Sequence, residues 1–215
     1  MKIAILGGTR GIGRELVRRA AESGHQVTVL ARDPSRLDAA VQGLTVVKGD
    51  ACDRDAVAKL VADQDAICCC LGVPPSRKPV SVFSESISLV VDQIPDDDGP
   101  RILAITGVGA GDSRGHGGFL YDKIIFPLLL KRMYEDKNRL EQLLRDSKAN
   151  WTIIRPGLLT NGPQTGKYEI LEDLTGVTLG KISRADVADF MVSELEQPKY
   201  ERRVVNLCSP RKSRT

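Results

Sequence analysis

The sequence predicts an α/β protein built on a doubly wound parallel sheet, and three observations predict it. Short runs such as KIAIL, AICCCL and RILAI are apolar throughout, as strands buried on both faces must be. Stretches of helical periodicity separate them, so each strand has a helix to carry the chain back across the sheet. Three glycines, Gly7, Gly11 and Gly13, follow the first apolar run directly, where a strand would turn into a helix.

The elements follow in order. KIAIL is the first strand, and Gly11 to Ser23 carries Ile12, Leu16 and Ala20 on one helical side. QVTVLA is the second strand, Pro34 to Val41 a short helix, and LTVVKGD the third strand. Asp53 to Ala62 forms a helix with Val57, Leu60 and Val61 inward. DAICCCLG is the fourth strand, Val80 to Ile94 a helix, and RILAIT the fifth strand. A long helix covers Lys131 to Ser147 with Leu140, Leu143 and Leu144 on its inward face. WTIIRPG is the sixth strand. From Lys167 onward the pattern gives a strand pair, one amphipathic helix and a last strand, RRVVNLC. No linker divides the chain, so residues 1–215 are expected to form one domain, with 208–215 a flexible, basic tail. The acidic stretch DQIPDDDGP is a solvated loop.

Composition narrows the class. The 31 lysines and arginines nearly balance 28 aspartates and glutamates, leaving +3, too little and too dispersed for nucleic acid or a membrane surface. The first apolar run stops at glycines, unlike a secretory leader, and IIFPLLL is too short to span a bilayer. Cys68, Cys69 and Cys70 are consecutive, so neighbours point to opposite faces of a strand and cannot chelate one metal together. They are read as small buried hydrophobes of a reduced, cytoplasmic protein. With only His25 and His116 and no ligand spacing, no metal is expected.

GGTRGIG therefore reads as a phosphate loop. Gly7 permits the sharp turn, Gly11 lets backbone approach a pyrophosphate, and Gly13 lets the helix pack close to the strand. Thr9, Arg10 and Ile12 belong to the same loop, and the helix N-terminus meets the negative charge. No Gly-Lys-Ser/Thr ending follows, which excludes a mononucleotide loop.

Gly7-x3-Gly11-x-Gly13 resembles the TGxxxGxG signature of the short-chain dehydrogenase/reductase family, with Leu6 where the family often has threonine. VTVLARDPSRL, VVKGDACD, DAICCCLG, WTIIRPGLLT and ISRADVADFM resemble its atypical branch. That branch holds NAD(P)H-binding oxidoreductases, biliverdin-IXβ/flavin reductases and NmrA-like sensors. The resemblance runs along the whole chain and implies a Rossmann fold. It further implies that Asp50 and Ala51 border the adenine, and Leu71 and Gly72 the ribose.

Arg32 ends the second strand, where an acid would bind a ribose hydroxyl and an arginine a 2′-phosphate. With Arg10 and Arg36 it could surround that phosphate, which favours NADP(H) over NAD(H). In the opposing reading Asp33 reaches the hydroxyl and the arginines face solvent.

Typical members carry Tyr-x3-Lys on the helix after the fifth strand, the tyrosine donating the proton and the lysine holding the nicotinamide ribose. Lys137 fits the lysine, but Met133 stands four residues before it; Tyr134, on the helix flank three residues before Lys137, can still touch it and is the candidate catalytic tyrosine, or else a boundary tyrosine. Thr106 takes the place of the family's serine, able to bond the carboxamide or the acceptor, or to satisfy the strand end. His116 and Tyr121 are loop residues that would act only if their loop closed over the site. Pro156, Gly157, Leu158 and Leu159 are expected to shape the pocket, with GGFLYDKIIFPLLL as its cover, as core or as a subunit contact.

Ketone reduction needs an acid at the carbonyl oxygen, whereas a conjugated acceptor spreads the incoming charge and draws its proton from water. The expected function is thus an NADPH-dependent reductase of a planar acceptor such as a flavin, tetrapyrrole or quinone. The alternative is a non-catalytic NADP(H) sensor with a protein partner. Sugar-nucleotide epimerase-like activity is disfavoured by the short C-terminal part.

Overall fold

The structure is a computed structural model that describes residues 1–38, 40–75, 78–94 and 99–210. Its strands are β1 (Lys2–Leu6), β2 (Gln26–Ala31), β3 (Thr45–Lys48), β4 (Ala66–Cys69), β5 (Arg101–Ile105), β6 (Trp151–Pro156), β7 (Leu158–Thr160), β8 (Glu169–Leu171), β9 (Lys181–Ser183) and β10 (Arg203–Cys208). Its helices are α1 (Gly11–Glu22), α2 (Arg54–Val61), α3 (Val82–Gln93), α4 (Lys131–Asp146) and α5 (Arg184–Glu196).

The main sheet runs β3-β2-β1-β4-β5-β6-β10-β8. All its pairs are parallel except β10 with β8. β1 lies between β2 and β4, with Ile3 opposite both Val27 and Ala66. The order of strands therefore reverses at β1, and a crevice opens beyond the carboxyl ends of β1 and β4.

Alternation along the strands builds two cores. Ala4, Leu6, Ile67, Cys69 and Ile102 face α2, α3 and α4, while Ile3, Ile5, Cys68, Leu103 and Ile154 face α1 and α5. Cys68 to Cys70 divide between the two faces as buried thiols, as their spacing predicts. Side chains fix the helix starts. The Asp53 carboxylate accepts from the amides of Asp55 (3.0 Å) and Ala56 (3.3 Å), and Ser183 caps α5 by accepting from Asp186 N at 2.9 Å. Asp136 on α4 reaches across to accept from Phe83 N at 2.9 Å, capping α3 from a neighbouring helix.

Several expectations are corrected. Pro34–Arg36 makes only a 3-10 turn: Asp33 starts it, but Leu37 is already extended (φ −70°, ψ 155°) and ends it. Leu143 is exposed; the buried residues of α4 are Met133, Tyr134, Asp136, Lys137, Leu140, Glu141 and Leu144, so three charged residues sit among them. α5 is buried on most sides rather than amphipathic, since it lies against α1 and the sheet. The tail strands form β7 with β9 as a small parallel pair, and β8 joins the main sheet. Cys208, where the tail was expected to begin, is the buried last residue of β10. Residues 95–98 of the acidic loop and 211–215 of the tail lie outside the described residues.

The segment before α4 is a π-helix, Tyr121–Leu130, with Pro127 inside it. Proline has no N–H to give to the preceding turn, and the coil widens there. Tyr121 and Phe126 point inward, while Phe119, Leu120, Ile124, Leu128 and Leu129 are exposed.

Candidate functional site

A cleft of about 820 Å³ lies over the carboxyl ends of the central strands. Its floor is the glycine loop. Gly7 has φ of +87°, and a Cβ there would stand 2.7 Å from the Cys70 carbonyl oxygen. A Cβ on Gly13 would stand 2.2 Å from the Gly7 oxygen, so α1 can approach β1 only through glycine. Arg10, the residue before α1, is extended and supplies no side-chain cap, and the first turn holds no acid. The opening amides of α1 are thus left to an anion.

Gly7, Thr9, Arg10, Gly11, Ile12, Arg32, Arg36, Asp50, Ala51, Leu71 and Gly72 all line this cleft, where the glycine motif and the strand ends predict them. Gly13 lies behind, in the helix–strand packing role its spacing implies. Arg10 reaches across to donate to Gly72 O at 2.6 Å, tying the loop to the turn after β4. The Arg32 side chain is 79% exposed, with Asp50 3.6 Å away as its partner. Asp33 is engaged by Ser35, whose hydroxyl donates to it at 2.6 Å and holds its carboxyl below the usual range. A further cation was missed in the sequence. Arg184, at the start of α5, lines the cleft beside Gly11 and donates to Asn161 Oδ1 at 2.7 Å.

At the inner end, Thr106, Met133 and Lys137 line the cleft together. Lys137 Nζ donates to the main-chain oxygen of Thr106. Burial lowers its pKa to about 8, against the opposing pull of the Glu141 carboxylate. The Thr106 hydroxyl donates to Glu141 Oε1 at 2.8 Å. Arg155 holds Glu141 from behind with a two-pronged fork, Nε to Oε1 at 2.9 Å and Nη2 to Oε2 at 2.6 Å, and also donates to Asp112. Glu141 and Arg155 escaped the sequence reading, although a charge four residues beyond Lys137 and an arginine inside an apolar strand were the available signals.

Tyr134 is not in the cleft. Its ring packs under Lys137, with Nζ 4.8 Å from the ring centroid, while its hydroxyl points away to Tyr121 Oη at 3.2 Å. Burial pushes this phenol well above its usual pKa. Tyr121 is buried as well, donating to Val108 O at 2.9 Å, and His116 bonds Val177 O at 2.7 Å away from the site.

Pro156, Gly157 and Leu158 also fall outside the lining. Pro156 closes β6 in the core, Gly157 lies under Gly180, and Leu158 begins the pairing with β9; Leu159 lines the cleft as expected, and Asn161 joins it. Among the described residues no cluster of His, Cys, Asp or Glu could hold a metal. No helix of the described residues is long and apolar enough to cross a membrane.

The comparisons with known proteins agree with this fold. The uncharacterized protein YwnB of Bacillus subtilis is 26% identical over 208 residues, covering 94% of this chain and 95% of that protein. ChuY, an anaerobilin reductase from Escherichia coli O157:H7, shares the fold with a TM-score of 0.80 at 24% identity over the whole of both chains. A short-chain dehydrogenase/reductase of Veillonella parvula in complex with NADP superposes with a TM-score of 0.79 at 18% identity, covering 97% of this chain and 94% of that one. A family described as NAD(P)H-binding matches residues 7–198, and the chain belongs to that family.

Proposed function

We propose that the protein is an NADPH-dependent reductase of a planar, conjugated small molecule such as a flavin, a linear tetrapyrrole or a quinone. The observation that carries the proposal is the pairing of Lys137 with Thr106 at the inner end of the cleft, with no tyrosine among the described lining residues. The anaerobilin reductase of the same fold supports the acceptor class.

The residues present fit the cofactor. The uncapped amides of α1, with Arg10 and Arg184 beside them, suit a pyrophosphate, and Arg32 and Arg36 suit a 2′-phosphate. When bound, the reduced nicotinamide supplies a hydride. The chain's own contribution is orientation. Lys137 would donate to the nicotinamide ribose, and Met133 would offer the ring an apolar face. An acceptor that delocalises the arriving charge takes its proton from solvent, so no phenol is needed.

A second reading, a sensor that binds NADP(H) without turnover, is favoured by the exposed apolar residues from Phe119 to Leu129 next to α4, which suit a protein partner. The two separate in one assay. NADPH consumption is followed with FMN, biliverdin and a soluble quinone in turn, with NADH in parallel. Turnover that is faster with NADPH supports the reductase; tight binding with no turnover on any acceptor contradicts it.

A further inference from the structure

A hydroxyl group has one proton to give, and where that proton goes decides what the hydroxyl offers to a ligand. At Thr106 it goes inward, to Glu141 Oε1 at 2.8 Å. Glu141 cannot return the favour. Both its oxygens accept hydrogen bonds from the Arg155 guanidinium, a two-pronged pairing in which Glu141 is the acceptor throughout. All three residues are buried, Thr106 at 2%, Glu141 at 3% and Arg155 at 1% exposure, so water does not compete for these bonds. With its proton committed, the Thr106 hydroxyl has only lone pairs left to offer, and Thr106 lines the inner end of the cleft.

From this we infer that Glu141 is a positioning residue, fixing Thr106 as a hydrogen-bond acceptor for the carboxamide N–H of the nicotinamide. The inference rests on the NADP(H) reading above and deepens it. It removes Thr106 from the list of proton donors, because its only proton is committed away from the ligand. It also gives the carboxamide one orientation. The amide nitrogen, the carboxamide's donor end, would be the end that meets Thr106. Lys137 braces the same residue through its main-chain oxygen, so hydroxyl and backbone are held together.

The test compares two ligands by titration calorimetry: NADPH and its reduced 3-acetylpyridine analogue, in which a methyl group replaces the amide NH2. One neutral hydrogen bond predicts that the wild-type chain prefers NADPH by about fivefold. Thr106→Val loses that preference and Thr106→Ser keeps it. Glu141→Gln also loses it, because its amide NH2 opposes one nitrogen of the Arg155 fork and unsettles the bond to Thr106. A thermal melt checks folding, and should Glu141→Gln fail it, Glu141→Asp withdraws the carboxylate while keeping the charge and carries the same expectation. Equal affinities in the wild type, or an undiminished preference in Thr106→Val or in the Glu141 variant, overturn the inference while NADPH binding leaves the cofactor reading standing. Failure of the wild type to bind NADPH at all overturns both.

Discussion

The hydroxyl of Tyr134 lies 3.2 Å from that of Tyr121, turned away from the cleft that Lys137 enters one helical turn later. Tyr121 in turn donates to Val108 O, so the pair pins the π-helix to the turn after β5. Tyr134→Phe is therefore expected to keep kcat within about twofold while losing about 1 kcal/mol of stability, the worth of one hydrogen bond. Denaturant unfolding alongside steady-state kinetics checks both.

Lys137 gives a pH dependence. Its burial lowers the pKa to about 8, so the ammonium that would hold the ribose is lost as pH rises through that value. kcat/KM is expected to be level between pH 6 and about 7.5 and to fall several-fold above about 8. Stability moves the other way. Unfolded, this lysine keeps its proton up to its ordinary value of 10.5, so between about 8 and 10.5 the unfolded chain binds more protons, and the contribution of Lys137 to stability rises with pH there. Lys137→Met removes the buried charge and is expected to raise Tm at neutral pH by a few degrees while depressing turnover, which calorimetry and kinetics measure together.

Gly13→Ala tests the glycine loop without touching a ligand. Its Cβ would meet the Gly7 main-chain oxygen at 2.2 Å, a backbone atom that no rotamer change moves aside. The helix must retreat from β1, at a cost of about 3 kcal/mol or more. A lower melting temperature with NADPH binding lost is expected; an unchanged melt would contradict the packing described here.

Arg32→Ala addresses the choice of cofactor. The side chain is exposed and its partner Asp50 is 3.6 Å away, so the chain itself gains little from the pair. The substitution is expected to weaken NADPH by tenfold or more and leave NADH within about twofold. Equal losses would sink the 2′-phosphate assignment.

Much of this fold could be read from pattern. The apolar strands and the glycines that follow β1 place the cleft, and Asp53 marks a helix start by its own chemistry. What escaped was set by contacts distant in sequence. Leu140 and Leu144 mark the inward face of α4 correctly, but the leucines do not show that Lys137 and Glu141 join it, held by partners just after β5 and on β6. Of the four residues expected after β6, Leu159 alone lines the cleft, joined by Asn161, because β7 turns away to pair with β9, which no local spacing announces. The place of Tyr134 depended on Tyr121, thirteen residues earlier in a helix whose wide π coil follows from its proline.

The central claim, reduction driven from Lys137 and Thr106 without a catalytic phenol, is tested most directly by one assay. NADPH oxidation is measured with the best acceptor for the wild type, Tyr134→Phe and Lys137→Ala side by side. The account predicts near wild-type turnover for Tyr134→Phe and a loss of tenfold or more for Lys137→Ala. A large loss in Tyr134→Phe with Lys137→Ala still active would contradict it, returning the chemistry to the tyrosine.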